Sequence, residues 1–137
     1  MGSEVLNIWR PHEIIPNRVE IMAIRDENEG LTVVLASEHS RRPIAKLVFS
    51  SVVAYRNINE SYRVRTWRTH DMTNVSSLSI VEHSSWLRWL RDESAGVLEE
   101  FDLTHYAIYT SDDCLDVAAK EPPKVIVNDL RENALMG

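Results

Sequence analysis

Short apolar runs bounded by turn residues, the pattern of strands, fill most of this chain, and the spacing changes once to a helical one. Val19-Glu20-Ile21-Met22-Ala23-Ile24 and Leu31-Thr32-Val33-Val34-Leu35-Ala36 flank Asp26-Glu27-Asn28-Glu29-Gly30. Two arms rich in β-branched residues around a turn ending in glycine predict a hairpin over 18–38. Apolar residues occupy both parities of each arm, so both strands are expected to be central in a sheet. Ile44 to Arg56 reads as one long strand, with Ser50-Ser51 as a bulge. Tyr62 to Arg68 reads as the next strand, with Arg63, Arg65 and Trp67 on one face. Thr69 to Ser77 is polar and reads as a loop.

The helical change comes after a short strand at Ser79–His83. Ser84 or Ser85 can cap a helix by accepting an unpaired first-turn N–H. Trp86, Leu87 and Leu90 follow at helical spacing, with Trp89 beside them, and Gly96 ends or bends the helix. Thr104–Thr110 and Cys114–Ala118 form a second hairpin around Ser111-Asp112-Asp113. Val125-Ile126-Val127 can add a final strand. Pro11 and Pro16 make residues 1–17 an extended lead-in, with Trp9 packed on the body, and residues 128–137 a loose tail. The whole, 1–137, reads as one α+β domain: an antiparallel or mixed sheet of about six strands with one main helix packed on one face.

Composition narrows the function. The chain has 137 residues, is 44% hydrophobic and carries a net charge of -6. That fits one globular domain and argues against general polyanion binding. Charge is divided along the chain. Arg41, Arg42, Lys46, Arg56, Arg63, Arg65 and Arg68 stand against Glu60 alone over 41–70, a balance of +6. Nine acids stand against Lys120 over 92–121, a balance of -8. The two segments either neutralise each other or leave an acidic face that steers a basic partner. No basic-then-apolar leader opens the chain, and no apolar run approaches the ~20 residues of a membrane span. Cys114 is the single cysteine. A cytoplasmic protein is expected.

Chemical motifs are sparse. Cys114, His105 and Asp116 contain the elements of a thiol nucleophile, but a turn at 111–113 puts His105 far along the hairpin from Cys114. The histidines His12, His39, His70, His83 and His105 form no zinc spacing, and no glycine-rich phosphate loop is present. No metal or cofactor is expected. Arg63-x-Arg65-x-Trp67 is a candidate single-strand nucleic-acid face, disfavoured by the acidic whole. Trp86 and Trp89 are candidates for a ligand cage or an interface anchor, with a core role favoured.

Two stretches carry a resemblance. Val48-Phe49-Ser50-Ser51-Val52-Val53-Ala54-Tyr55-Arg56-Asn57-Ile58-Asn59-Glu60-Ser61-Tyr62 is one. Ile80-Val81-Glu82-His83-Ser84-Ser85-Trp86-Leu87, continued by His105–Thr110, Asp113–Val117 and Glu121-Pro122, is the other. Together they resemble a pattern of small, mostly uncharacterised bacterial α+β proteins, some of which look like immunity partners of secreted polymorphic toxins. Where that pattern tends to have asparagine before the capping serine, this chain has His83. The resemblance carries over no catalytic residue. It implies a compact α+β domain. Together with the small size, the acidity and the lack of active-site motifs, it leads to the expectation of a non-catalytic domain that binds a cognate toxin, and the acidic charge predicts a basic one. Asp92, Glu93, Glu99, Glu100, Asp102, Asp112 and Asp113 are the candidate partner-binding residues. The alternatives are an enzyme using His105, with Tyr106 or Asp116, in a pocket between helix and sheet, and a small-ligand or nucleic-acid module.

Overall fold

A computed structural model describes residues 3–70 and 76–127. The tail at 128–137 and the centre of the predicted 69–77 loop lie outside the described residues. Among the described residues, nine strands form two antiparallel sheets, in place of the single sheet of about six strands expected. The first sheet runs in the order β1 (Val5–Ile8), β6 (Leu78–Glu82), β7 (Thr104–Tyr109), β8 (Asp113–Ala119), β5 (Val52–Asn59). The second runs β2 (Val19–Glu27), β3 (Gly30–Ser37), β4 (Pro43–Phe49), β9 (Lys124–Val127).

The sheets bury their inner faces against each other. Leu31, Val33, Leu35, Leu47 and Phe49 of the second sheet meet Leu78, Tyr106, Ile108, Leu115 and Val117 of the first. The Phe49 and Tyr106 rings touch edge to face at 5.3 Å across the gap. Trp9 seals one end of this core, 4.8 Å from Tyr106.

Sequence pattern and structure agree where turn chemistry is strong. The β2–β3 hairpin closes with Gly30 at φ +132. A side chain there would strike the Phe49 carbonyl oxygen. In the β7–β8 hairpin, the Thr110 hydroxyl oxygen accepts the Asp113 N–H.

Four further expectations change. Residues 44–56 are two strands in different sheets: Ser50-Ser51 is the crossing between them, not a bulge. Ser51 anchors that corner, its carbonyl accepting the Lys120 N–H and its hydroxyl the Glu121 N–H, where the chain crosses back from β8 to β9. β3 is central, but β2 is an edge strand. The lead-in contains strand β1, paired with β6.

The fourth change concerns residues 62–68, a 3-10 turn (Glu60–Tyr62) followed by helix α1 (Val64–Thr69) rather than a strand. Arg63 and Trp67, four residues apart, both reach Tyr109. The Trp67 ring N–H also donates to the Glu60 carbonyl at 2.8 Å. Contacts at i,i+4 reward a helix, and here they outweigh the alternation.

Helix α2 (Ser85–Glu93) is capped by Ser84, whose hydroxyl oxygen accepts the Leu87 N–H at 3.0 Å. It ends before Gly96, and the chain turns through Ala95 and Gly96, both at positive φ. His83 also has positive φ, 55. Asparagine and histidine are among the residues that tolerate this region, so a tight backbone corner accounts for either residue before the cap. Both helices lie on the outer face of the first sheet. Trp67 packs there with Val81, Ala107, Tyr109 and Cys114, and Trp86 meets His105 at 5.0 Å. No helix among the described residues is long and apolar enough to cross a membrane.

Candidate functional site

The outer face of the first sheet holds a buried polar cluster centred on Asp116. The register produces it. On β8, Asp116 lies opposite Ala107 of β7 and opposite Arg56 of β5. His105 and Tyr109 sit two positions either side of Ala107, on the same face. Asp116 Oδ1 accepts from His105 Nε2 and from the Tyr109 hydroxyl, each at 2.6 Å. Asp116 Oδ2 accepts from Arg56 Nε at 2.8 Å and Arg63 Nη1 at 3.0 Å.

The carboxylate is fully buried. Burial by itself pushes its pKa up. The hydrogen bond and charge of His105, then Tyr109 and Arg56, outweigh burial and hold the group well below the usual carboxylate range. Burial, with the Asp116 charge behind it, pushes the Tyr109 phenol far up, so Tyr109 remains a donor.

On the far side of the ring, His105 Nδ1 lies 2.7 Å from the Ser84 hydroxyl. The two ring nitrogens of His105 join the Ser84 hydroxyl to the Asp116 carboxylate. Ser84, His105 and Asp116 thus form a relay of the kind that activates a serine nucleophile. Ser84 is buried, however, and its oxygen already caps α2. Neither of the two cavities flanking Arg56 is lined by Ser84, His105 or Asp116. The arrangement therefore fastens α2 and Arg63 to the sheet. No buried side-chain nitrogen or oxygen among the described residues lacks a partner.

The other sequence candidates separate. Cys114 pairs with Tyr109, at the hairpin end away from His105. Burial pushes its thiol up to about 12, which removes the thiolate a nucleophile requires. Tyr106 lies in the core between the sheets, on the opposite face from His105. Trp67 is committed to Glu60 and Tyr109, so the proposed Arg63–Arg65–Trp67 strand face does not form.

The acidic candidates fall into two groups. Asp92 and Glu93 are exposed in the last turn of α2, and Glu99, Glu100 and Asp102 are exposed in the turn that follows. Arg91 holds that turn to the helix by donating to the Leu98 carbonyl at 2.7 Å and the Phe101 carbonyl at 3.0 Å. Asp112 and Asp113 lie at the other end of β7, roughly 20 Å away at strand rise. Asp113 accepts from Asn57 at 3.1 Å.

Beside the first acidic group lies a groove of about 730 Å³ between edge strand β5 and α2, lined by Ala54, Tyr55, Arg56, Trp86, Trp89 and Leu90. Trp89 is 55% exposed and Tyr55 39%. The Arg56 guanidinium stacks over Trp86 at 4.9 Å. Sequence reasoning placed both tryptophans in the core by their spacing. Only Trp86 is buried, while Trp89 stands at the groove. No family model, no curated protein and no solved structure matches this chain.

Proposed function

We propose that this protein is a non-catalytic, cytoplasmic binding domain, an immunity protein that neutralises a cognate bacterial toxin by direct contact. The observation that carries the reading is the groove between β5 and α2. It combines exposed Trp89 and Tyr55 with Arg56, the residue types that anchor protein interfaces. One turn beyond Trp89, Asp92 and Glu93 begin an acidic rim that continues through Glu99, Glu100 and Asp102. An aromatic centre with a charged rim is how specific interfaces are organised, and the sign suits a basic toxin surface. The resemblance to immunity partners of polymorphic toxins supports the same partner class.

Growth rescue tests this. The neighbouring open reading frame is expressed inducibly, with and without this protein. Rescue by the wild type and its loss in Trp89→Ala, with a direct complex recovered only for the wild type, is the expected result. Absence of rescue, or full rescue by the Trp89 variant, counts against the proposal.

A further inference from the structure

On the other side of Arg56 lies a second cavity, of about 500 Å³, between α1 and the start of α2. Arg56, Arg63, Arg65, Tyr62, His70 and Glu4 are among the residues that line it. Its chemistry differs from that of the aromatic groove. Arg63 is committed to the fold, giving its Nε to Thr66, one Nη to Asp116 and the other to the Tyr109 hydroxyl. Arg56 gives Asp116 only its Nε, which leaves its two terminal nitrogens as donors at the cavity wall. Arg65 is exposed, and its guanidinium has no partner among the described residues.

The cavity already engages one carboxylate of the chain. Glu4 Oε2 accepts from the Ser85 N–H at 3.0 Å and the Ser85 hydroxyl at 3.2 Å, and Glu4 Oε1 lies 3.5 Å from His70 Nε2. Three guanidinium groups therefore face two carboxylates, Glu4 and the buried Asp116. If Glu4 is displaced, two positive charges are left over. That surplus matches the charge of a phosphate monoester near neutral pH. Guanidinium forks bind phosphate oxygens in pairs, and the volume is that of a small-molecule site.

We propose that this cavity binds a small phosphate-bearing ligand through Arg56 and Arg65, and that Glu4 is a tethered competitor for the site. The ligand's oxygens would take the Ser85 donors from Glu4 and fill the open guanidinium edges. Glu4 lies just before β1, so its displacement costs no pairing of that strand with β6.

Calorimetric titration of the full chain with inorganic phosphate at low salt tests the site, with acetate as the carboxylate control. Arg65→Gln should weaken phosphate binding about tenfold, the worth of one hydrogen bond to a charged group. Glu4→Gln should tighten it by a few fold, because an amide is a poorer competitor for the same donors. Neither substitution touches the Asp116 cluster, and unchanged thermal midpoints confirm that both variants are folded. The proposal stands if the two variants move affinity in opposite directions and phosphate outcompetes acetate. It is overturned by an absence of binding heat, by acetate binding as tightly as phosphate, or by failure of either variant to move affinity in its stated direction. In the last case, phosphate is an adventitious ion only.

Discussion

Asp116 lies directly opposite Ala107 on the β7–β8 ladder, and the small Ala107 side chain lets His105 and Tyr109 close on one carboxylate from the same strand. Arg56 and Arg63 complete the set from β5 and from the start of α1. One residue thus ties two strands, a helix and, through His105 and Ser84, the cap of α2.

Asp116→Asn should cost about 3–5 kcal/mol, because it leaves two arginines beside a buried group that no longer carries charge. The loss should depend on pH. The folded-state pKa of Asp116 is depressed, so its contribution is complete above the unfolded carboxylate value of about 3.9 and is lost as pH falls toward the folded value. Urea unfolding at a series of pH values should show a wide wild-type advantage near pH 7 that narrows below about pH 4. A gap that stays constant down to pH 2 would contradict the ionic account.

Cys114 should be inert in the native state. Its thiol is buried and pushed up to about 12, so almost no thiolate exists at pH 8. Ellman's reagent should report no free thiol until denaturant is added, and then one per chain. Rapid native-state reaction would mean that the β7–β8 face opens readily.

The docking surface proposed above makes two separable predictions. Trp89→Ala should weaken binding of the proposed partner by about 2 kcal/mol or more, chiefly through faster dissociation, with little change in stability because the ring is already exposed. Reversing Asp92 and Glu93 to lysine should instead slow association. The wild-type association rate should fall as salt is added, and the reversed variant should lose or invert that dependence. Surface plasmon resonance across salt concentrations separates the two effects. An unchanged association rate in the reversed variant would remove the rim from the interface.

Gly30→Ala should destabilise the fold by roughly 1–3 kcal/mol, since the residue sits at positive φ. The added methyl also meets the Phe49 carbonyl oxygen, which the β3–β4 pairing holds in place. Thermal unfolding would show this as a lowered midpoint, and an unchanged midpoint would mean that the turn relaxes.

Several of these features were readable in the residues. Gly30 and the flanking β-branched arms marked one hairpin, and Ser111-Asp112-Asp113 marked the other. Serine ahead of Trp86-Leu87 marked α2. The β7–β8 turn in fact places Asp116 across from Ala107, so the His105–Asp116–Tyr109 grouping follows from the register once the turn is known. What hid it was the distance in sequence to Arg56 and Arg63, which no local pattern connects to Asp116. The helix at 64–69 was masked because Arg63, Arg65 and Trp67 satisfy a period of two, while the contacts that decide the matter lie on Tyr109, far along the chain. The sheet crossing at Ser50-Ser51 was hidden because two polar residues inside an apolar run signal a bulge and a crossing equally well.

The corner at Ser51 has a mechanical consequence. Both the outgoing passage from β4 to β5 and the returning passage from β8 to β9 are stitched to this one residue. The sheets also share one continuous core, so separating them would expose the inner faces of both at once. The two halves of the sandwich should therefore melt as one unit, in a single sharp step, rather than one after the other.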